Sequence, residues 1–313
     1  MTYREVKTLV ENRLINKTDD TPFEDLSIPL FGEQFGESEV RRRMHGMLRM
    51  IEIIEGTESN YTTILSLSDL HVPFQLDFHI LGDFKGVDVL QLNGDIIDCQ
   101  SLSKFPKVYR IPPMEEIIKG RQYLIDLIDF LKPKKVVCNY GNHDKRFVQY
   151  FAKKLDSDIL ELMPDTSLEL IFKDGFRHYN KRERTKVWYE PLKNVFDQIV
   201  IEYVDNWWCQ IGKTIFCHPM AYRGGIMATA DRAKQYFQDT CENFDSIVMA
   251  HTHKIGDTMI GRIRLLEQGA FSDVSKMNYM DGRLAAPQKS GFAVIVQDEN
   301  GNIVHEKTKI KML

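Results

Sequence analysis

The sequence has no long apolar run. No stretch approaches the ~18 consecutive apolar residues that a membrane span requires, and its hydrophobic segments are broken every few residues by Asp, Lys or Asn. Cysteine is scarce: five in 313 residues (Cys99, Cys138, Cys209, Cys217 and Cys241), an odd set with no Cys-x-x-Cys spacing. That excludes a cysteine zinc finger and points to a reduced, intracellular chain that needs no disulfide staples. Neither charge is in large excess, with 41 Lys and Arg against 45 Asp and Glu for a net charge of -4. A globally cationic nucleic-acid polymer is excluded, although a local basic groove is not. The first residues, Met1-Thr-Tyr-Arg-Glu-Val-Lys, lack the apolar core of a signal peptide. Internal repeats and low-complexity tracts are missing too. What is present is a hydrophobic fraction of 43%, enough for one large core or a main domain with an appendage. The expectation is a soluble cytoplasmic protein.

Two textures divide the chain. Residues 1–60 read as a helical N-terminal arm or subdomain. Within it, 38–55 carries Val40, Met44, Met47, Leu48, Ile51 and Ile54 at spacings of three and four, with Ser38 as N-cap and Gly56 as stop. That apolar face predicts packing on the main domain or on a second subunit, a route to a homodimer. Arg41, Arg42 and Arg43 open the same helix and offer a nucleic-acid contact, less favoured than plain packing. From 61 to 313, strands alternate with helices. Strands are predicted at 62–70, 88–93, 135–140, 208–211, 214–217, 245–250, 262–268 and 292–297, and a helix at 114–131 closed by Pro133. Strand, helix, strand at this spacing implies a parallel crossover in an α/β domain. Residues 155–206 read as an insertion.

Chemistry falls at the strand exits. Asp69-x-His71 ends the first strand, Gly94-Asp95-x-x-Asp98 follows the second and Gly141-Asn142-His143-Asp144 the third. His218 and His251-x-His253 end later ones. Ligands of open α/β sheets bind beyond the carboxyl ends of strands, and Asp, His and Asn are donors suited to a divalent metal. Each piece alone is weak, since an isolated histidine is commonly a hydrogen-bonded core residue and Asp98 or Asp144 could cap a helix. Together they are not weak, because five of the chain's nine histidines sit at these exits.

In order, strand context and spacing these motifs resemble those of the calcineurin-like metallophosphoesterases, over about residues 64–270. Ala250 and Cys217 stand where that family often has Gly, both small non-ligands. The resemblance implies a two-layer β-sandwich flanked by helices, a four-layer α/β/β/α fold, with a dinuclear metal centre at one edge. Asp69, His71 and His253 would hold one metal, Asn142, His218 and His251 the other, and Asp95 would bridge both. Manganese is the first expectation, with Fe, Zn, Ni or Mg as alternatives. Two such cations activate a bridging hydroxide for in-line attack on phosphorus. His143 would stabilise the charge or protonate the leaving alkoxide and Asp98 would orient it. Asp144 would share that catalytic role or cap the next helix.

Cys99-Gln100 and Asp144 replace the Arg-Gly and Glu of protein serine/threonine phosphatases. The Asn-His-Asp version resembles the phosphodiesterase and nuclease branch, with a phosphomonoesterase or a non-catalytic scaffold as alternatives. Substrate contacts are expected from Arg223, from Lys104, Lys107, Tyr109 and Arg110, and from Arg182 and Arg184 in an aromatic, basic stretch. Such groups hold a phosphate backbone and stack bases of DNA or RNA. Trp207 and Trp208 are expected to anchor the insertion.

Overall fold

The computed structural model describes residues 1–56, 61–103, 111–241, 243–277 and 287–313, the side chains of 52–56 excepted. Its contacts divide the chain into two units, Met1–Tyr61 and Thr62–Leu313. The first contains helices α1 (Tyr3–Glu11), α2 (Ser27–Phe31) and α3 (Glu37–Gly56). Thr2 and Glu5 form a reciprocal capping box at the start of α1. Helix α3 begins at Glu37, so Ser38 lies inside it rather than capping it. The apolar face predicted to pack on the main domain or on a second subunit is largely buried within this unit among its described side chains, with Met47 and Leu48 partly buried and the Ile54 side chain outside the described residues. Val40, Met44 and Ile51 pack with Val10, Phe23 and Leu26 in one buried cluster. Its arginines are engaged as well. Arg42 and Arg43 pair with Glu39, and Arg41 lies over the Phe23 ring at 4.8 Å.

The second unit starts with β1 (Thr62–Leu67), β2 (Val89–Asn93), helix α4 (Pro113–Leu131) and β3 (Lys135–Asn139). Helices α5 (Arg146–Phe151), α6 (Ser157–Leu160), α7 (Ser167–Glu169) and α8 (Leu192–Val195) follow, with the β4 (Phe176–Asn180) and β5 (Thr185–Tyr189) hairpin between the last two. Then come β6 (Val200–Val204), β7 (Trp208–Ile211), β8 (Thr214–Cys217), α9 (Ala228–Thr240), β9 (Ser246–Met249), β10 (Ile255–Ile260), β11 (Ile263–Gln268), β12 (Gly291–Gln297) and β13 (Lys309–Met312).

One sheet has the order β13-β12-β1-β2-β3-β6 and the other β10-β11-β9-β8-β7. Strands β1, β2, β3 and β6 are parallel, with Ile64 opposite Val89 and Val89 opposite Lys135; β8, β9 and β11 are parallel in the second sheet. Side chains alternate faces along a strand. Ile64, Val89 and Val137 therefore meet Phe216, Val248 and Leu266 between the sheets. Leu65, Leu90 and Val136 face α4, which contributes Ile117, Leu124 and Ile128. Ala230, Ala233 and Phe237 of α9 cover the outer face of the second sheet. The architecture is thus the expected helix, sheet, sheet, helix stack.

Strand β6 corrects the insertion at 155–206: it pairs in parallel with β3 and completes the first sheet. Its side chains are only partly buried or exposed, so the strand gave too faint a hydrophobic signal to read. Toward the carboxyl ends of the strands, polar groups replace the apolar core between the sheets. Ser66 Oγ lies 2.6 Å from Gln91 Oε1 and 2.8 Å from Gln268 Oε1, Gln91 donates to Asn139, and Asn139 to Asn93. That buried polar network is the floor of the candidate centre.

Candidate metal centre

The five strand exits bring their polar groups to one place. Asp69 and His71 follow β1, Asp95 and Asp98 follow β2, and Asn142, His143 and Asp144 follow β3. His218 follows β8, and His251 and His253 follow β9. The chain turns sharply there. Asp69, His71, Asp95, His251 and His253 have φ of 52°, 46°, 52°, 78° and 53°, a region that Asp and His tolerate better than most residues. Backbone at Gly94 and Gly141 is nearly in contact: a Cβ on Gly94 would lie 2.6 Å from Gly141 N and 2.7 Å from His218 Nδ1. Only glycine fits there.

Three donors converge on one point. Asp69 Oδ1 lies 3.0 Å from His253 Nε2, and the Nε2 atoms of His253 and His71 are 3.1 Å apart. Beside them, His218 Nε2 stands 3.2 Å from Asp95 Oδ2 and 3.2 Å from Asn142 Oδ1, with the His251 ring 5.3 Å away. The Asp95 carboxylate sits between the two groups, its Oδ2 3.9 Å from His71 Nε2. His251 Nε2 is buried without a hydrogen-bond partner, and an orphaned imidazole nitrogen among buried carboxylates is the mark of a metal ligand. The sets Asp69, His71, His253 and Asp95, His218, His251 each have the spacing to hold a cation. The residues fit a pair of divalent metals.

The surrounding groups fix these donors. Asp98 Oδ1 lies 3.2 Å from His71 Nδ1 and 3.0 Å from His143 Nδ1, so one carboxylate orients both imidazoles. His218 Nδ1 donates to Asn93 O at 2.7 Å, and Gln288 Nε2 is 3.0 Å from His253 Nδ1. The Asp144 carboxylate neither meets His143 nor caps a helix, the two readings its position suggested. Its Oδ2 accepts from the backbone N–H of Asp95 and of Gly141, each at 2.8 Å, and so ties the second motif to the third. The N-cap of α5 is Lys145.

Electrostatics divide the site. Burial alone would raise Asp69, but His253 and His218 hold it well below the carboxylate range. Burial alone would lower His71, yet its bonds to Asp69 and Asp98 push it up to about 10. For His218, the charges of Asp95 and Asp69 overcome burial and raise it to about 9. For His251, burial and the neighbouring His218 outweigh the pull of Asp95 and Asp69 and lower it to about 3. His143 is also lowered, mainly by burial. Burial and the Asp95 charge raise Asp144 to about 7.

Several groups here were not singled out in the sequence. Arg146 donates from Nη1 to Asp98 O and from Nη2 to His143 Nε2, each at 2.8 Å. His143 therefore keeps its proton on Nδ1, toward Asp98. The available signal was spacing, since Arg146 falls three residues after His143 at the start of α5. Lys254 is buried, and its ammonium donates to the carbonyls of Arg223, Gly224 and Gly225 at 3.2, 2.7 and 3.1 Å.

The expected substrate contacts are scattered. Arg223 lines a cavity with Tyr222, Trp207 and Tyr236. Arg182 and Arg184 lie exposed at the β4–β5 turn and line neither cavity beside the centre. Lys104, Lys107, Tyr109 and Arg110 lie outside the described residues. Trp207 and Trp208 both pack on Phe237 of α9.

Among solved structures, a novel archaeal phosphodiesterase is 11% identical, covering 80% of this chain and 99% of its own, at a TM-score of 0.34. A metallophosphoesterase from Sphaerobacter thermophilus is 13% identical (80% and 88% covered, TM-score 0.36). Zinc-complexed Vps29 from Entamoeba histolytica is 12% identical (80% and 98%, TM-score 0.36). A search of the curated proteins gives no match. The family model of the calcineurin-like phosphoesterases matches residues 62–255, which run from β1 through the His251-x-His253 motif. With the strand exits and their converged donors, that match decides the assignment: the chain belongs to the calcineurin-like phosphoesterase family, and is a metal-dependent phosphoester hydrolase.

Proposed function

We propose that the protein is a dinuclear phosphodiesterase or nuclease. The observation that carries this reading is the convergence of Asp69, His71, Asp95, Asn142, His218, His251 and His253 beside a further histidine, His143, held by Asp98. Asp69, His71 and His253 would hold one divalent ion, Asn142, His218 and His251 the other, and Asp95 both, with manganese the first choice. When bound, such ions polarise the phosphoryl group and supply its nucleophile near neutral pH.

The chain's own residues do the rest. Arg146, beside the centre, steadies the equatorial oxygens of the phosphoryl group with its planar donors. His143 Nε2 accepts from Arg146 before substrate binds; once Arg146 turns that donor onto the phosphoryl oxygens, Nε2 takes up a proton from solvent, with Nδ1–H still directed at Asp98, and passes it to the leaving alkoxide. Asp144 keeps the second and third motifs in register, and Arg223 contacts a phosphate beyond the reacting one. The Asn-His-Asp sequence and the lack of Arg-Gly after Asp98 favour a diester over a phosphoprotein. The five unpaired cysteines suit a reducing, cytoplasmic compartment.

The test is hydrolysis of bis-p-nitrophenyl phosphate with Mn2+ added. Activity is expected to vanish after chelation and in Asp95→Asn, and full activity in either would overturn the reading. A higher kcat/KM on p-nitrophenyl phosphate than on the diester would point to a monoesterase. For nucleic acid, Arg182→Ala with Arg184→Ala is expected to weaken DNA binding and flatten its salt dependence, and an unchanged salt slope removes those two arginines from it.

A further inference from the structure

A cleft leads outward from the centre between α5 and the loop that follows His218. Its volume is about 610 Å3, within the ~300–1,000 Å3 of clefts that hold a small molecule. Asn142 and His251 belong both to the centre and to its lining. Tyr150 of α5 and Tyr222 of the loop also line it, and are 42% and 53% exposed. Its charged side chains are Arg146 and Lys153, and no carboxylate is among the described lining residues.

Tyr222 is positioned rather than loose. Its ring lies 5.7 Å from that of His251 at 63°. Its loop is held by the Lys254 ammonium on the carbonyls of Arg223, Gly224 and Gly225. All three ammonium protons are thereby used, so Lys254 fixes the loop from beneath the site. Exposed rings beside a phosphate site, with Arg146 and Lys153 as the charged groups among the described lining residues, suit a ligand with a flat uncharged part attached to an anionic backbone. A nucleic-acid strand has that chemistry, because its bases stack on aromatic side chains irrespective of sequence while its phosphates meet Arg and Lys. An aliphatic phosphoester has nothing to place on the tyrosines.

We propose that this cleft seats a nucleobase of a nucleic-acid strand, stacked on Tyr222 and Tyr150. The adjoining phosphate rests against Lys153, and the scissile diester lies at the centre beside Arg146. This deepens the phosphodiesterase reading above and rests on it.

Two substrates with the same leaving group test it: thymidine 5′-(p-nitrophenyl phosphate) and methyl p-nitrophenyl phosphate, which differ only in the nucleoside. Stacking of one base on an aromatic predicts a wild-type preference in kcat/KM for the thymidine diester of roughly 10- to 100-fold. That ratio is expected to collapse toward unity in Tyr222→Ala and Tyr150→Ala, mainly through KM, and to return in Tyr222→Trp. Equal wild-type values for the two diesters, or a ratio that survives both alanine variants, would overturn the base site. Should the wild type hydrolyse neither diester, the phosphodiesterase reading fails instead. Fluorescence anisotropy of a labelled oligothymidylate then decides the base site alone. Roughly tenfold weaker binding by the alanine variants supports it, and unchanged binding refutes it.

Discussion

Replacing Gly141 by alanine adds one methyl group at the tightest point of the site. Gly141 is not at positive φ, so alanine is allowed by the backbone and the effect is steric alone. The new Cβ would overlap Asp95 Oδ1 and lie 2.6 Å from Asp95 N and 2.8 Å from Asp95 Cγ. Comfortable contact begins near 3.4 Å, so the two segments must part by about 0.8 Å, the difference between 3.4 and 2.6 Å. They are not free to do so, because Asp144 Oδ2 holds Asp95 N and Gly141 N at 2.8 Å each. The Asp95 carboxylate, placed between the two ligand groups, has to give way. A displacement of that size costs on the order of 100-fold in rate, and the overpacking about 1–3 kcal/mol of stability. The assay is kcat/KM on bis-p-nitrophenyl phosphate together with metal content by mass spectrometry and thermal unfolding. Gly82→Ala is the control, since a Cβ there meets nothing within 4 Å. If Gly141→Ala keeps its full metal content and turns over within about threefold of wild type, the placement of Asp95 between the groups is wrong.

Burial, helped by the Asp98 charge, pushes the Glu116 carboxyl from 4.5 up to about 8. The folded chain then holds that proton more tightly than the unfolded one, so its contribution is complete below about pH 4.5 and is lost as pH rises through about 8. Glu116→Gln is expected to stabilise the metal-free protein by about 2 kcal/mol at pH 9 and hardly at all at pH 5. Urea denaturation at both values checks this, and an equal difference at the two refutes it. His143→Ala should lower kcat by about 100- to 10,000-fold on a p-nitrophenyl-free dinucleotide, whose alkoxide needs a proton, while metal content stays unchanged; lost metal would make His143 a ligand. Lys254→Met leaves three loop carbonyls without their donor. It should speed proteolysis in residues 219–226 and raise KM for the thymidine diester roughly five- to tenfold with kcat within about twofold; an unaltered digestion pattern would show that Lys254 does not hold the loop.

The sequence by itself determined which residues meet. Metal-ligand side chains at strand exits are a local pattern, and parallel strands place their carboxyl ends together whatever joins them. Thus Asp69, His71, Asp95, Asn142, His218, His251 and His253 were legible at their strand exits, as was a parallel α/β crossover, whereas the two-sheet sandwich was implied only by the family resemblance. Edge strands such as β6 and β13 were not, because their half-exposed residues lack a buried face's periodicity. The packing of α3 within the first unit was equally hidden, since an apolar stripe records that a helix is covered but not by what. Only tertiary structure decided the supporting contacts. Asp144 serves backbone N–H groups 49 and three residues away, one Asp98 carboxylate serves two histidines, and Lys254 reaches back about 30 residues to its loop. These bonds join groups whose separation in sequence follows no period. Their partners are chosen by three-dimensional proximity and by the cost of leaving a buried polar group unpaired.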